Sequence, residues 1–315
     1  MLDLRKIPAI CGPTGSGKTA IALRLSEQLP VEIISADSRQ ILKHLNIGTA
    51  KPSEEEKRRV PFHLIDIVEP GERFSAFRFI DEANRIIGEI LTRSGIPVVV
   101  GGTGLYLRAL TDGVVEIEQD DMAVREQLER EMEAEGAEAM YRRLEEIDPL
   151  EAAKTHPNNK VRVIRALEIH RLTGRSKSQL ITTGAYRKAS YDFEHYCLLP
   201  ERQSLYDTIN ARVDAMIAAG LVSEIETLRR EGLAQPIRKS NVIGYNELLD
   251  YLDGTRTLDE AISLIKQNSR RYAKRQYTWF QHQTDCRSFS DRNAALEAIL
   301  ADYRGIVESG TKKLD

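Results

Sequence analysis

Residues 7–11 and 31–36 are short apolar runs, and residues 20–29 between them place apolar side chains at helical spacing. The alternation continues with an apolar run at 62–67, a periodic stretch at 75–93 that Ser75 can cap, and another apolar run at 96–100. Uninterrupted apolar strands separated by amphipathic helices predict a parallel sheet in an α/β layer fold. Ligands of such sheets bind at the carboxyl ends of the strands. The pattern changes near residue 115: residues 122–146 are charged and helical with a break at Gly136, Asp148-Pro149 opens another helix, and 158–172 forms one with an arginine-rich face closed by Thr173-Gly174. Residues 176–191 are polar and read as loop. Strand pattern returns at 196–199, followed by helices at 203–219, 221–231, 244–252, 257–280 and 292–308.

The turn after the first strand reads Gly12-Pro13-Thr14-Gly15-Ser16-Gly17-Lys18-Thr19. It fits G-x-x-x-x-G-K-[ST], the phosphate-binding P-loop, in its required place between strand and helix. Glycines let the backbone turn its N–H groups onto one anion, and the helix N-terminus adds a positive dipole end. Gly12, Thr14, Gly15, Ser16, Gly17, Lys18 and Thr19 are thus the candidate diphosphate site, with the Thr19 hydroxyl a candidate Mg²⁺ ligand. The loop alone does not separate ATP or another nucleotide from other diphosphates. The expected architecture is a P-loop NTPase-like parallel sheet core flanked by helices, residues 1–115 and 196–315, with a helical insertion domain at 116–195.

Asp37 ends the second strand, followed by Ser38, Arg39 and Gln40. A carboxylate beside a P-loop suits a metal ligand or a general base, or else a turn aspartate. Asp66, within the run at 62–67, is the rival metal ligand or a structural residue. Gly101-Gly102-Thr103-Gly104 is a second glycine-rich turn, either another clamp on the same ligand or a tight turn capped by Thr103. Arg162 and Arg165 share one helix face, suited to phosphate contacts or to a kinase-like lid. Near the C-terminus, Arg270 to Phe280 mixes cations with aromatics, as RNA-binding surfaces do, although Tyr272, Gln276 and Trp279 also fit a core-facing stripe.

The 315 residues are 41% hydrophobic and 30% charged, ordinary for a soluble globular protein, and nothing approaches a membrane span. The chain enters its first strand at once, so no signal peptide is expected. Cys11, Cys197 and Cys286 are odd in number and lack C-x-x-C spacing, which points to a reducing cytosol and away from a cysteine-based zinc site. The net charge of −3 hides an asymmetry. Residues 116–151 hold fourteen acidic and four basic residues, 154–188 hold nine basic and one acidic, and 266–287 hold six basic and one acidic. The basic stretches form either a polyanion surface or solvated helix faces with acidic neighbours.

Taken in order, these motifs resemble one family, the tRNA dimethylallyltransferases or tRNA isopentenyltransferases. The resemblance rests on the P-loop, Ser35 to Gln40, Ile47-Gly48-Thr49-Ala50-Lys51-Pro52, Val100 to Tyr106, His156-Pro157-Asn158-Asn159, Arg162 to Glu168, Ile243-Gly244-Tyr245 and Ala273-Lys274-Arg275-Gln276 with Thr278-Trp279-Phe280. It implies a bacterial-type cytoplasmic enzyme, a monomer, that transfers a dimethylallyl group from dimethylallyl diphosphate to N6 of the adenine 3′ of the anticodon in tRNA. Asp37, Thr103 and Arg212 would be catalytic. The P-loop would hold the diphosphate, with Mg²⁺ at Thr19. The anticodon stem-loop would meet Asp37, Ser38, Arg39, Gln40, Arg162, Arg165, Gly244, Tyr245, Lys274, Arg275 and Gln276. Asn46, Leu42 and Asn246 depart from the family pattern at positions that bear on local tRNA contacts. A P-loop nucleotide kinase acting on a small acceptor is the alternative from the residues, and a non-catalytic RNA-binding switch the third.

Overall fold

Five consecutive buried residues, Ile7–Cys11, make strand β1, the central rung of the sheet. The computed structural model describes residues 4, 6–115, 122–187, 189–282 and 285–311; the expected boundary at 116 and Lys188 of the basic stretch lie outside them. After β1 come α1 (Lys18–Ser26), β2 (Val31–Ser35), α2 (Glu54–Arg59), β3 (Phe62–His63), α3 (Ala76–Thr92), β4 (Ile96–Gly101) and α4 (Gly104–Asp112). Ser75 caps α3 by accepting from Arg78 N–H. Next are β5 (Val114–Val115), α5 (Met122–Glu135), α6 (Ala137–Ile147), α7 (Pro149–Ala152), α8 (Lys160–Thr173), α9 (Lys177–Thr182) and β6 (Tyr186–Arg187). The chain then runs through β7 (Phe193–Leu198), α10 (Arg202–Ala218), α11 (Leu221–Arg230), α12 (Ala234–Ser240), α13 (Tyr245–Leu252), α14 (Leu258–Gln281), β8 (Cys286–Phe289) and α15 (Arg292–Thr311). No described helix is long and apolar enough to cross a membrane.

The main sheet has the order β3-β2-β4-β1-β7-β8, every pair parallel. All carboxyl ends therefore lie on one side, where the turns after β1, β2 and β4 meet. α1 and α15 bury one apolar face of the sheet, with Ile21, Leu25, Leu296, Ile299 and Leu300 against Ile10, Ile33, Val98 and Tyr196. A second core joins α10, α11, α13 and α14 around the fully buried Tyr245 and Leu248.

The chain divides into two units, 1–111 with 189–315, and 112–188. The second break falls seven residues before the one expected, and three of those seven belong to β7, which begins at Phe193. The smaller unit has its own core of Leu128, Met132, Met140, Leu144, Val163 and Leu167. Gly136 separates α5 from α6 with φ +87°, a backbone position that favours glycine. The stretch read as loop at 176–191 instead holds α9, started by a capping box between Ser176 and Gln179, and β6 paired antiparallel with β5.

Asp66 is drawn away from metal binding. Its carboxylate pairs with Lys51, whose side chain is 3% exposed and whose ammonium also donates to Leu42 O at 2.6 Å. Lys51→Met is expected to lower the unfolding free energy by about 1–3 kcal/mol, since it removes a buried donor and leaves the carbonyl unpaired. Urea titration of wild type and variant measures it.

The cysteines depart from the expected reduced thiols. Cys11 sits opposite Cys197 in the β1–β7 register, and Cys286 sits opposite His195 in the β7–β8 register. His195 and Cys197 are two apart on one strand and share a face, so three strands bring three sulfurs together. Cys197 and Cys286 are joined as a disulfide, and the Cys11 Sγ lies 2.8 Å from the Cys197 Sγ. Spacing along the chain does not reveal this, because the residues meet only through strand order.

Candidate active site

The P-loop begins where β1 can no longer continue. A β-carbon on Gly12 would lie 2.4 Å from Leu198 O, so only glycine fits between the strand ends. Gly15 and Gly17 hold φ +82° and +92°, and Gly17 caps α1. The first amides of α1 have no partner within the helix and are offered to a ligand. Lys18 bends back to donate to Pro13 O at 2.7 Å. The Ser16 hydroxyl is buried and has no hydrogen-bond partner among the described residues.

The turn after β2 brings Asp37 to this loop. Its Oδ1 accepts from Arg39 N–H at 2.8 Å, which fixes the carboxylate at the strand end. The turn after β4 arrives from the other side. A β-carbon on Gly101 would lie 2.1 Å from Ala36 O, and one on Gly104 2.7 Å from the Trp279 ring, so these glycines are required by close packing. Thr103 Oγ1 accepts from Ser38 N–H at 2.9 Å, and Thr103 N–H donates to Ala36 O at 3.2 Å. Thr103 thus ties the second and fourth strand ends together at the cleft.

Arg212 enters from α10 and donates to Thr14 Oγ1 at 3.4 Å. Burial lowers its pKa, opposed by the attraction of Asp37. Burial also pushes the Lys18 ammonium down to about 8; Asp37 opposes this and Arg212 adds to it. Two half-buried cations thus lie within electrostatic reach of one carboxylate, an arrangement that an anionic ligand completes. The cleft that Asp37 and Arg212 line is about 230 Å³. Thr14, Asp37, Arg39 and Arg212 line its polar part, and Val213, Met216, Leu221, Val242, Ile243 and Ile265 make an apolar part.

Gln276 is one turn of α14 beyond Tyr272 and bridges two loops. Its Oε1 accepts from Thr14 N–H at 2.8 Å and its Nε2 donates to Gly102 O at 2.8 Å. That takes the Thr14 amide out of the set facing a phosphate. Gln40 is engaged similarly: its Oε1 accepts from Ser35 Oγ at 2.9 Å and its Nε2 donates to Ala50 O at 3.0 Å. Tyr245 is fully buried, its hydroxyl donating to Glu224 Oε1 at 2.6 Å and accepting from Gly48 N–H at 3.2 Å. Gly244 holds φ +99° before it and lines the cleft. Arg275 lies over the Tyr272 ring at 5.6 Å and lines the cleft, while Lys274 is exposed. In the smaller unit Arg162 is exposed, and Arg165 donates to the buried Glu168 at 2.8 Å. The sequence reading missed the bridging by Gln276 and the apolar lining of the cleft. The stripe of Tyr272, Gln276 and Trp279 showed that Gln276 faces inward, but not which loops it meets.

Gln276→Ala is expected to weaken inorganic diphosphate binding about tenfold, by releasing the Thr14 and Gly102 backbones from each other. Calorimetry with inorganic diphosphate checks it.

The IPP transferase family profile matches residues 40–283, and the isopentenyl transferase profile matches residues 5–63. The chain belongs to the tRNA dimethylallyltransferase family. It is 46% identical to the tRNA dimethylallyltransferase of Geobacillus kaustophilus over 98% of both chains, and 45% identical to that of Geobacter metallireducens over 89% of this chain and 91% of the other. The crystal structure of a tRNA isopentenylpyrophosphate transferase from Bacillus halodurans superposes with TM-score 0.68 at 41% identity, covering 98% and 99%. A eukaryotic dimethylallyltransferase acting on tRNA superposes with TM-score 0.74 at 29% identity, covering 91% of this chain and 74% of that one.

Proposed function

We propose that this enzyme transfers a dimethylallyl group from dimethylallyl diphosphate to N6 of the adenine 3′ of the anticodon in tRNA, releasing diphosphate. The observation that carries this is the cleft's lining, which joins the charged Asp37 and Arg212, with Lys18 in electrostatic reach of both, to the apolar Val213, Met216, Val242 and Ile243. A diphosphate with a short branched hydrocarbon matches both kinds of lining. Family membership favours this over phosphoryl transfer and over a non-catalytic switch.

In the reaction the C1–O bond of the allylic diphosphate breaks as the N6–C1 bond forms, and N6 loses one proton. Asp37 accepts that proton. The Lys18 ammonium, the Arg212 guanidinium and the amides of Gly15 to Thr19 stabilise the charge growing on the leaving diphosphate. Thr103, held by Ser38 N–H, contacts the bridging oxygen. The target adenine leaves the anticodon stack to reach Asp37, with Ser38 and Arg39 beside it. Arg162, Lys274 and Arg275 contact tRNA phosphates, whereas Gln40, Tyr245 and Gln276 shape the site and Arg165 holds its own helix. The oxygen donors at the helix start, with the unpartnered Ser16 hydroxyl beside them, suit a hard divalent cation. Mg²⁺ held at Thr19 would neutralise diphosphate oxygens.

The test is a transfer assay with unmodified tRNA, labelled dimethylallyl diphosphate and Mg²⁺, beside an ATP control. Label on the adenine 3′ of the anticodon is expected. Phosphate transfer from ATP without prenyl label would overturn the proposal.

A further inference from the structure

The three sulfurs on β1, β7 and β8 lie outside the chemistry described above, yet directly beneath the phosphate loop. Their Sγ atoms all lie within 4.8 Å of one another. Cys11 and Cys197 are 1% and 0% exposed, whereas Cys286 is partly exposed on the edge strand. A parallel ladder fixes the backbones of the inner pair. Cys286, bonded through its strand on one side only, is the sulfur that a solute reaches.

We propose that Cys197 and Cys286 form a reversible thiol–disulfide site, oxidised by a low-molecular-weight disulfide arriving at Cys286, and that its state sets how firmly the sheet edge holds the phosphate loop. In the first step the Cys286 thiolate attacks one sulfur of R–S–S–R, forming Cys286–S–S–R and releasing RS⁻. The Cys197 thiolate then attacks the Cys286 sulfur and expels the second RS⁻. Two protein thiols lose two protons and two electrons, and the small disulfide becomes two thiols. Cys11 is placed for a further exchange onto Cys197, which would return Cys286 to a thiol with no net oxidation. The structure holds the bond between Cys197 and Cys286, with Cys11 as the buried thiol.

The link to the site is direct. Cys11 immediately precedes Gly12, and Gly12 packs on the carbonyl of Leu198, the residue after Cys197. β8 leads into α15, whose Arg292 lies so close to Gly17 that a β-carbon there would come within 2.5 Å of Arg292 Cδ. The disulfide therefore ties together the strands that flank both ends of the loop. It also closes a chain segment with sequence separation 89.

The experiment equilibrates the full-length protein in buffers of reduced and oxidised glutathione, quenches with acid, alkylates, and maps peptides without reduction. Expected is a single transition in which two thiols disappear, with Cys197 and Cys286 peptides linked and Cys11 alkylated only after unfolding. The oxidised form should melt roughly 5 °C higher and bind inorganic diphosphate about threefold more tightly by calorimetry. Cys286→Ser should abolish both differences while retaining transfer activity. Full alkylation of Cys286 at every redox poise would overturn the disulfide site, as would stoichiometric zinc retained on three protected thiols. A disulfide that forms without moving either the melting temperature or the diphosphate affinity would overturn the coupling. None of these readouts depends on prenyl transfer, so they stand apart from the test of the proposed reaction.

Discussion

Asp37→Ala lowers kcat for prenyl transfer about 10³-fold and leaves the Kd for tRNA within about twofold of wild type. The amine at N6 of adenine is a weak nucleophile because its lone pair is delocalised into the ring, and it gains strength only as its proton is taken. In the proposed reaction Asp37 takes it; one of its oxygens is held by Arg39 N–H at 2.8 Å just after an inner strand. Its removal does not weaken diphosphate capture, because Lys18 and Arg212 then lose their one opposing anion. KM for dimethylallyl diphosphate is therefore expected to stay level or fall while kcat collapses. Asp37→Asn separates chemistry from structure, since an amide oxygen still accepts from Arg39. Single-turnover rates of both variants at saturating substrates check this, and wild-type turnover in the asparagine variant would remove Asp37 from the mechanism.

The positions of Asp37 and Lys18 were legible because both sit at the ends of elements that periodicity reveals, whereas Arg212, inside α10, was reached only through the resemblance. Strand Ile7–Cys11, the Ser75 cap and the break at Gly136 all follow from local pattern. So do the P-loop, Asp37 and Thr103, each the first polar step after a buried strand. The bridging residues were not legible. Gln276 joins Thr14 across a separation of 262 residues, and no local pattern says that a helix stripe will meet that amide. β8 was missed because a short edge strand with two exposed residues lacks an apolar signature. With it went the cysteine cluster, which exists only once β8 is placed beside β7. α9 and α2 were missed for a different reason. Both carry visible capping boxes, Ser176 with Gln179 and Ser53 with Glu56, but each spans only six residues, too few for a hydrophobic period.

Lys18→Met lowers kcat/KM for dimethylallyl diphosphate by about 10²–10³-fold and removes an alkaline limb from the wild-type pH profile. In the free enzyme the Lys18 ammonium has a pKa of about 8, with burial as the largest cause. Below that pH the lysine carries the charge that meets the diphosphate; above it, each pH unit leaves about one-tenth as much charged enzyme. The wild-type kcat/KM is thus expected to bend downward near pH 8. The bend fades in kcat, because bound diphosphate favours the ammonium and carries its pKa upward. Stability moves the opposite way. The folded state loses this proton near pH 8, the unfolded chain only near the ordinary value of 10.5, so between them the unfolded chain binds more protons. On the lysine's account alone, folding therefore strengthens as pH rises through that window, and Lys18→Met flattens the rise. One titration of kcat/KM and one of urea midpoint, each on wild type and variant, separate the two effects. A variant that keeps the bend near pH 8 would assign it to another group and leave Lys18 as a fixed charge.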